Sequence, residues 1–121
     1  MEVVIGVLLV VAAVIHALPV IGVVSSERVA ALYAITVDGT DLAVLLRHRA
    51  VLFGVLAGLL VAAVLDPDLR GPVAVAVLVS DLAFAALAIG AREIGRSLRR
   101  VLVADIVSII ALVGVIGLLL A

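Results

Sequence analysis

The chain has 121 residues, of which 68% are hydrophobic, with a mean hydropathy of +1.57 and a net charge of −1. Soluble domains are roughly half apolar, and a fold of this size cannot hide the excess, so the composition excludes an ordinary soluble domain and predicts lipid-facing surface. The charge offers no argument for nucleic-acid binding, and the absence of cysteine excludes disulfides and thiolate metal sites.

The first apolar segment runs from residue 3 to 24 and is interrupted by His16 and Pro19. It is long enough to span the roughly 30 Å hydrocarbon core of a bilayer as one helix. A cleaved signal peptide is not expected, because the chain starts with Met1 and Glu2 rather than with a basic segment. We therefore interpret this segment as the first of four transmembrane helices in a single domain, residues 1–121.

The second apolar segment, residues 50–65, is too short to span alone, since it covers only about 24 Å as a helix. Thr40 and Asp41 are good N-cap residues, so a helix over 41–65 is predicted. Between it and the first helix, Val29, Leu32 and Tyr33 share a face. This pattern favours a short helix lying along the membrane interface.

The third and fourth predicted spans cover residues 72–91 and 101–121. The connection before the third span, residues 66–71, is short and contains proline and glycine, so the second and third helices are expected to form an antiparallel hairpin. The predicted fold class is all-α, a four-helix transmembrane bundle with one short interfacial helix.

The distribution of arginine predicts the orientation. Of the eight basic residues, Arg70 alone lies on one side, and the other seven flank the first and third connections: Arg28, Arg47, Arg49, Arg92, Arg96, Arg99 and Arg100. The positive-inside rule places those connections in the cytoplasm and both termini outside. All basic residues are arginine in an Ala/Val/Leu-rich chain, which is typical of GC-rich bacterial genomes, so we expect a multi-pass protein of the bacterial inner membrane.

Ionisable residues inside a bilayer cost about 2.5–3.5 kcal/mol each and usually face the bundle interior. Every predicted helix places such a residue in its cytoplasmic half, which predicts a buried polar cluster of His16, Arg47, His48, Arg49, Asp81, Asp105 and Ser108. Arg47 shares a helix stripe with Gly54 and Gly58 and is the expected partner of Asp81 or Asp105, with Arg49 second. Two interpretations stay open: ion pairs that fix helix register, or a site for proton transfer or for the head of an amphipathic ligand.

Neither a metal nor a cofactor is expected, because there are only two histidines and no His/Glu pair at i, i+4. Small residues at helical spacing, Gly54 with Gly58 and Ala86 with Gly90, predict close helix packing. That packing suits either a monomer or a homodimer. The arginines of the third connection predict contact with anionic lipid headgroups: Arg92, Arg96, Arg99 and Arg100.

Four sequence blocks resemble a family of small bacterial four-helix membrane proteins, and more distantly the DoxX-like proteins. They are His16-Ala-Leu-Pro19, a Ser-Glu-Arg segment from Ser26 to Tyr33, the Arg-His-Arg-Ala-Val-Leu-Phe-Gly block of residues 47–54, and residues 98–105. The resemblance implies that His16, Arg47, His48, Arg49 and Asp105 matter in that family.

Members of that family are often named phosphopantetheine adenylyltransferase. That soluble enzyme uses a His-x-x-His type motif to hold phosphates, whereas His16 is followed by Ala-Leu-Pro within an apolar segment. The sequence also has no Gly-rich phosphate loop and no nucleophile–base pattern. Adenylyltransferase activity is therefore not expected.

Three functions are compatible with the sequence. The first is a structural or accessory membrane protein whose polar cluster either holds the bundle together or binds a small hydrophobic ligand, such as a quinone or lipid. The second is a small proton-coupled transporter, although the first helix offers His16 and no acid beyond Glu2. The third is an integral membrane enzyme, which ranks last because no catalytic arrangement is legible.

Overall fold

The computed structural model describes residues 1–23, 39–91 and 93–121, and these residues form helices without any strand. Its four α-helices are α1 (Glu2–Ala17), α2 (Gly39–Leu65), α3 (Arg70–Gly90) and α4 (Arg96–Leu120). The described part of the chain has four helical spans long and apolar enough to cross a membrane, the first of which includes the residues that continue α1 to Val20. The all-α class with four such helices agrees with the sequence prediction.

The first span differs from the expected continuous helix. α1 ends at Ala17, and the chain continues as a 3₁₀ helix over Leu18–Val23. Pro19 explains the change, because proline lacks an N–H donor and its ring clashes with the carbonyl four residues earlier in an α-helix. The predicted interfacial helix lies outside the described residues.

α2 begins at Gly39, slightly before the predicted start at Asp41. Gly39 has a φ of +82°, a backbone conformation that residues other than glycine rarely adopt. Arg47, His48 and Arg49 lie within this helix, as the predicted bounds also imply. At about 1.5 Å per residue, α2 is long enough to cross the hydrocarbon core.

The connection between α2 and α3 is a tight 3₁₀ turn over Pro67–Leu69. The Asp66 side chain caps this turn by accepting a hydrogen bond from the Asp68 backbone N–H at 3.0 Å. α3 then starts at Arg70 rather than at the predicted Pro72. A single 3₁₀ turn therefore connects the two helices of the predicted hairpin. Pro72 lies in the first turn of α3, where its missing N–H costs nothing.

α4 begins at Arg96, five residues before the predicted start at Val101. The arginines that were expected in a connection, Arg96, Arg99 and Arg100, therefore occupy the first turns of the helix. The first turn contains no acidic residue. Cations are disfavoured there by the helix dipole, so these arginines do not serve to stabilise the helix.

α1 packs against α2 and α4, and α3 packs against α4 and more loosely against α2. α1 and α3 thus lie diagonally across the bundle. The apolar core occupies one half of its length, where Leu9 of α1, Leu60 of α2, Val77 of α3 and Leu112 of α4 are fully buried. Large apolar side chains also cover the outer surface, as in Leu87, which is 77% exposed. Contiguous apolar surface of this kind is typical of lipid-facing helices.

Candidate buried polar site

Polar side chains from three helices meet in the other half of the bundle. His16 lies in the last turn of α1, Asp81 near the middle of α3, and Asp105 and Ser108 in α4. Their exposed fractions are 1%, 2%, 7% and 0%, respectively. From here on, the polar cluster means these four of the seven predicted residues. Burial of this depth requires hydrogen-bond partners, because an unpaired polar group away from water costs several kcal/mol.

His16 makes a hydrogen bond with each ring nitrogen. Nδ1 lies 2.8 Å from the backbone carbonyl oxygen of Ala12, and Nε2 lies 2.7 Å from Oδ1 of Asp81. A carbonyl oxygen can only accept, so Nδ1 carries a hydrogen and donates it. The close approach of Nε2 to a carboxylate oxygen then requires one further hydrogen between them, on the nitrogen or on the oxygen. The His16–Asp81 pair therefore holds a proton within the bundle.

Asp81 connects α1 to α4. While Oδ1 meets His16, Oδ2 lies 2.6 Å from the Ser108 hydroxyl, which donates to it. Both carboxylate oxygens are therefore bonded, each to a different helix. Since α1 and α3 are diagonal neighbours, Asp81 ties together three of the four helices through a single side chain.

Asp105 differs from Asp81. Its Oδ2 is buried and has no hydrogen-bond partner among the described residues. The side chain lies close to the other two ionisable groups, and one potential ligand atom from each of His16, Asp81 and Asp105 can be chosen so that all three lie within 4.8 Å of one another. Such an unsatisfied carboxylate oxygen in a buried cluster calls for an explanation beyond helix packing.

Two cavities open beside the polar cluster. The first, of about 350 Å³, we call the His16 cavity; it is largely apolar and its lining includes Ile15, His16, Leu18, Pro19, Phe53, Phe84, Ser97, Arg100, Val101, Ala104 and Asp105. The second, of about 240 Å³, we call the Arg49 cavity; its lining includes Arg49, Leu52, Phe53, Leu56, Ser80, Asp81, Ala83, Phe84, Leu87 and Asp105. Asp105 and both phenylalanines contribute to the two cavities alike.

Arg49 lies against both of these phenylalanines. Its guanidinium carbon is 5.1 Å from the Phe53 ring centroid and 5.2 Å from that of Phe84. Contacts at these distances stabilise a cation by roughly 0.5–2 kcal/mol each. The Phe53 ring also lies 5.9 Å from the imidazole of His16, at an angle of 41°. Arg49 and the two rings thus form one wall of the site.

The structure brings together only part of the predicted set. His16, Asp81, Asp105 and Ser108 are buried in contact, and Arg49 is half-buried on the wall of the Arg49 cavity with Asp81 and Asp105. Arg47 and His48 are exposed instead. Arg47 was the expected partner of Asp81 or Asp105, because it shares a helical face with Gly54 and Gly58. In the structure, Arg49 and Phe53 lie on the face of α2 that is turned toward Phe84 of α3.

The predicted packing residues also divide. A Cβ atom on Gly54 would meet a methyl group of Val20 in the 3₁₀ segment at 3.5 Å, an ordinary van der Waals distance. No side chain of the described residues comes within 4 Å of a Cβ atom placed on Gly58 or Gly90, and Ala86 is exposed. Of the predicted headgroup contacts, Arg96, Arg99 and Arg100 are exposed, and Arg92 lies outside the described residues.

The sequence predicted that His16, Asp81 and Asp105 converge, but not that one ligand-type atom of each lies within 4.8 Å of the others, nor the roles of Phe53 and Phe84. These distances depend on the packing of three helices, which no spacing within one helix reveals. A signal for Phe53 existed, because it lies four residues after Arg49 and therefore on the same helical face. Comparisons with protein-family models, with curated proteins and with solved structures find no match for this chain.

Proposed function

We propose that the chain is a multi-pass membrane protein that binds a small hydrophobic ligand in the His16 cavity, with the polar head of the ligand against His16 and Asp105. The observation that carries the proposal is the cavity itself: about 350 Å³ of largely apolar space with these two side chains on its wall. Apolar cavities with a few convergent polar groups are the usual form of small-molecule sites.

The unpartnered Oδ2 of Asp105 supports the same proposal. A hydroxyl, amide or protonated head group offers the donor that this oxygen lacks, while His16 is already held in place by Ala12. A purely structural cluster would pair its own buried groups, as Asp81 does with His16 and Ser108. A quinone in its reduced, hydroquinone form and a lipid with a hydroxyl or amide head both combine such a donor with a lipid-soluble body.

Mass spectrometry of the protein extracted from membranes in mild detergent tests the ligand. We expect a retained molecule of defined mass with the unmodified protein. Ala104→Leu fills the cavity that Ala104 lines and should release it. The matched control is Ala86→Leu, the same change at an exposed position on α3, which should retain it. Equal amounts of the same lipids in all three proteins would contradict the proposal.

For the orientation, we propose that both termini lie outside and that the Arg-rich ends of α2 and α4 face the cytoplasm of a bacterium. The exposed Arg96, Arg99 and Arg100 support it, because the positive-inside rule favours arginine on the cytoplasmic side, where anionic lipid headgroups can compensate the charge.

The chain has no cysteine, so single-cysteine variants report orientation without background. A membrane-impermeant maleimide should label Asp68→Cys, in the turn before α3, on intact cells. It should label Glu93→Cys, before α4, only after the membrane is permeabilised. The reverse pattern would invert the proposed topology.

Proton-coupled transport is the second candidate, and one observation favours it: the His16–Asp81 pair holds a proton, and Asp105 lines both cavities beside it. Purified protein in liposomes with an internal pH-sensitive dye tests this. An imposed electrical potential should drive proton entry in the unmodified protein and not in Asp105→Asn. Identical fluxes in both proteins would exclude the transporter.

A further inference from the structure

We propose that His16, Asp81 and Asp105 bind a divalent transition-metal ion, with one bond from each residue. This site concerns the polar cluster itself and goes beyond the hydrophobic ligand proposed above. The three ligand-type atoms lie within 4.8 Å of one another and come from α1, α3 and α4. An ion with bonds of about 2.0–2.2 Å holds its ligand atoms about 3–4 Å apart, so small side-chain rotations bring them into position.

The imidazole is already oriented as a metal ligand. Metal-binding histidines commonly donate one ring N–H to a backbone carbonyl, which turns the other nitrogen toward the ion. His16 has this arrangement, since Nδ1 donates to the Ala12 carbonyl oxygen at 2.8 Å and Nε2 points at Asp81. Loss of the proton between Nε2 and Asp81 frees a lone pair on each for the ion.

The carboxylates are similarly prepared. The Ser108 hydroxyl holds Oδ2 of Asp81 at 2.6 Å and leaves Oδ1 directed toward His16. Asp105 is 7% exposed, and its Oδ2 has no hydrogen-bond partner among the described residues. This buried oxygen is available as a ligand atom for a cation, because none of the described residues donates a hydrogen bond to it.

The charges are compatible with a divalent ion. Two ionised carboxylates and a neutral imidazole carry −2 in total, which an M²⁺ ion bound between them offsets in a region where net charge is expensive, and Arg49 on the adjoining wall carries +1. The mixed nitrogen and oxygen donors fit Mn²⁺, Fe²⁺ or Zn²⁺ better than Mg²⁺ or Ca²⁺, which prefer oxygen alone. Both cavities reach Asp105, so further coordination positions are accessible to water or to a ligand head.

Mn²⁺ is the probe for the test, with protein purified through a tag that contains no histidine. Pulsed electron paramagnetic resonance on the unmodified protein, stripped with a chelator and reloaded with Mn²⁺, should show coupling to an imidazole nitrogen. The chain has two histidines, which makes His48→Gln the matched control. The coupling should persist in His48→Gln and disappear in His16→Gln.

Binding affinity gives the second measurement. Titration of Mn²⁺ should show a single site, weakened about tenfold or more in Asp105→Asn and also in Ser108→Ala, which removes the group that orients Asp81. Asp68→Asn, an identical change at an exposed aspartate, should leave the affinity unchanged. Circular dichroism establishes that each variant is folded.

Two results would overturn the metal site. One is the absence of nitrogen coupling in the unmodified protein, a measurement that needs no variant to fold. The other is equal Mn²⁺ affinity in Asp105→Asn and Asp68→Asn. Loss of the hydrophobic ligand in Ala104→Leu with unchanged Mn²⁺ binding would separate the two proposals, since Ala104 contributes no ligand atom.

Discussion

The diagonal helices α1 and α3 are joined by two polar pairs, and the two pairs are built differently. In one half of the bundle, His16 meets Asp81 at 2.7 Å with exposed fractions of 1% and 2%. At the other end, Arg70 meets Glu2 at 2.7 Å, with 7% and 74% exposed. Both distances are those of strong, charge-assisted hydrogen bonds. The N···O distance is therefore the same in the two pairs, and they differ in their surroundings.

The Arg70 pair has a complete structural explanation. Besides Glu2, the Arg70 guanidinium donates to the carbonyl oxygens of Ala63 at 3.2 Å and Val64 at 3.5 Å. These carbonyls belong to the last turn of α2, where a helix has no partners of its own for them. Arg70 thus closes the C-terminus of α2, a place that the helix dipole favours for a cation.

The His16–Asp81 pair has features that helix packing alone does not require. Two cavities adjoin it, Asp105 lies beside it with an oxygen that has no partner among the residues that the structure describes, and the pair retains a proton. A half of the bundle built only for stability would resemble the opposite half, where Leu9, Leu60 and Leu112 fill the core. Under the proposed function, Asp105 serves binding at a cost in stability, whereas Asp81 and Arg70 hold the helices together, and four substitutions test that division.

The largest effect is expected for Asp81→Ala. The change removes the partner of both His16 and Ser108 and leaves two buried polar groups unpaired. We expect a loss of about 3 kcal/mol in the free energy of unfolding. It can be measured by titration with sodium dodecyl sulfate followed by far-ultraviolet circular dichroism. Asp68→Ala, in the exposed turn, is the control and should change little. A loss of similar size in both variants would mean that Asp81 does not hold the helices together.

Arg70→Met is expected to cost about 2 kcal/mol, because the α2 carbonyls lose a charged donor while the apolar stem is largely kept. The same titration measures it. Arg96→Met makes the identical change at an exposed position and is the control. If the two variants unfold alike, then Arg70 is not needed to close α2, and the structural explanation of that end fails.

Asp105→Asn should act in the opposite direction and raise the free energy of unfolding by about 1 kcal/mol. Oδ2 of Asp105 is buried without a hydrogen-bond donor among the described residues, and an amide in place of the carboxyl removes the cost of a charge at that position. A functional residue that costs stability is a common compromise in binding sites. Asp41→Asn, at the exposed start of α2, serves as the control. A clear loss of stability in Asp105→Asn would show that Asp105 is structural, contrary to the division proposed.

Hydropathy and arginine spacing were enough to predict four helices and the convergence of His16, Asp81, Asp105 and Ser108. That prediction succeeds because a polar residue in an apolar segment has few positions that avoid lipid, so each one marks the interior face of its helix. The same logic does not decide between Arg47 and Arg49. A long arginine side chain near a helix end can face either direction, and only the packing of α2 selects Arg49 for the interior wall.

Helix limits were predicted less accurately than helix number. α4 starts at Arg96, directly after Gly95, and not at the predicted Val101. Residues 96–100 contain no glycine or proline, and arginine is a good helix former, so the helix includes them. The Arg70–Glu2 pair also escaped prediction, since 68 positions separate the two residues and both were assigned to the ends of spans. Contacts between distant helices depend on rotation and tilt, which a single sequence does not specify.

The smallest effect is expected for Glu2→Gln. Glu2 is 74% exposed and pairs with Arg70 from one side only, so the charge contributes little in a polar environment. We expect a loss below about 0.5 kcal/mol in the same titration. Combined with Arg70→Met, the change should cost nothing further, since the partner is gone. If Glu2→Gln alone destabilised the protein as much as Arg70→Met, the ion pair and not the α2 carbonyls would hold that end together. The two diagonal pairs would then be alike in kind, and burial alone would separate them.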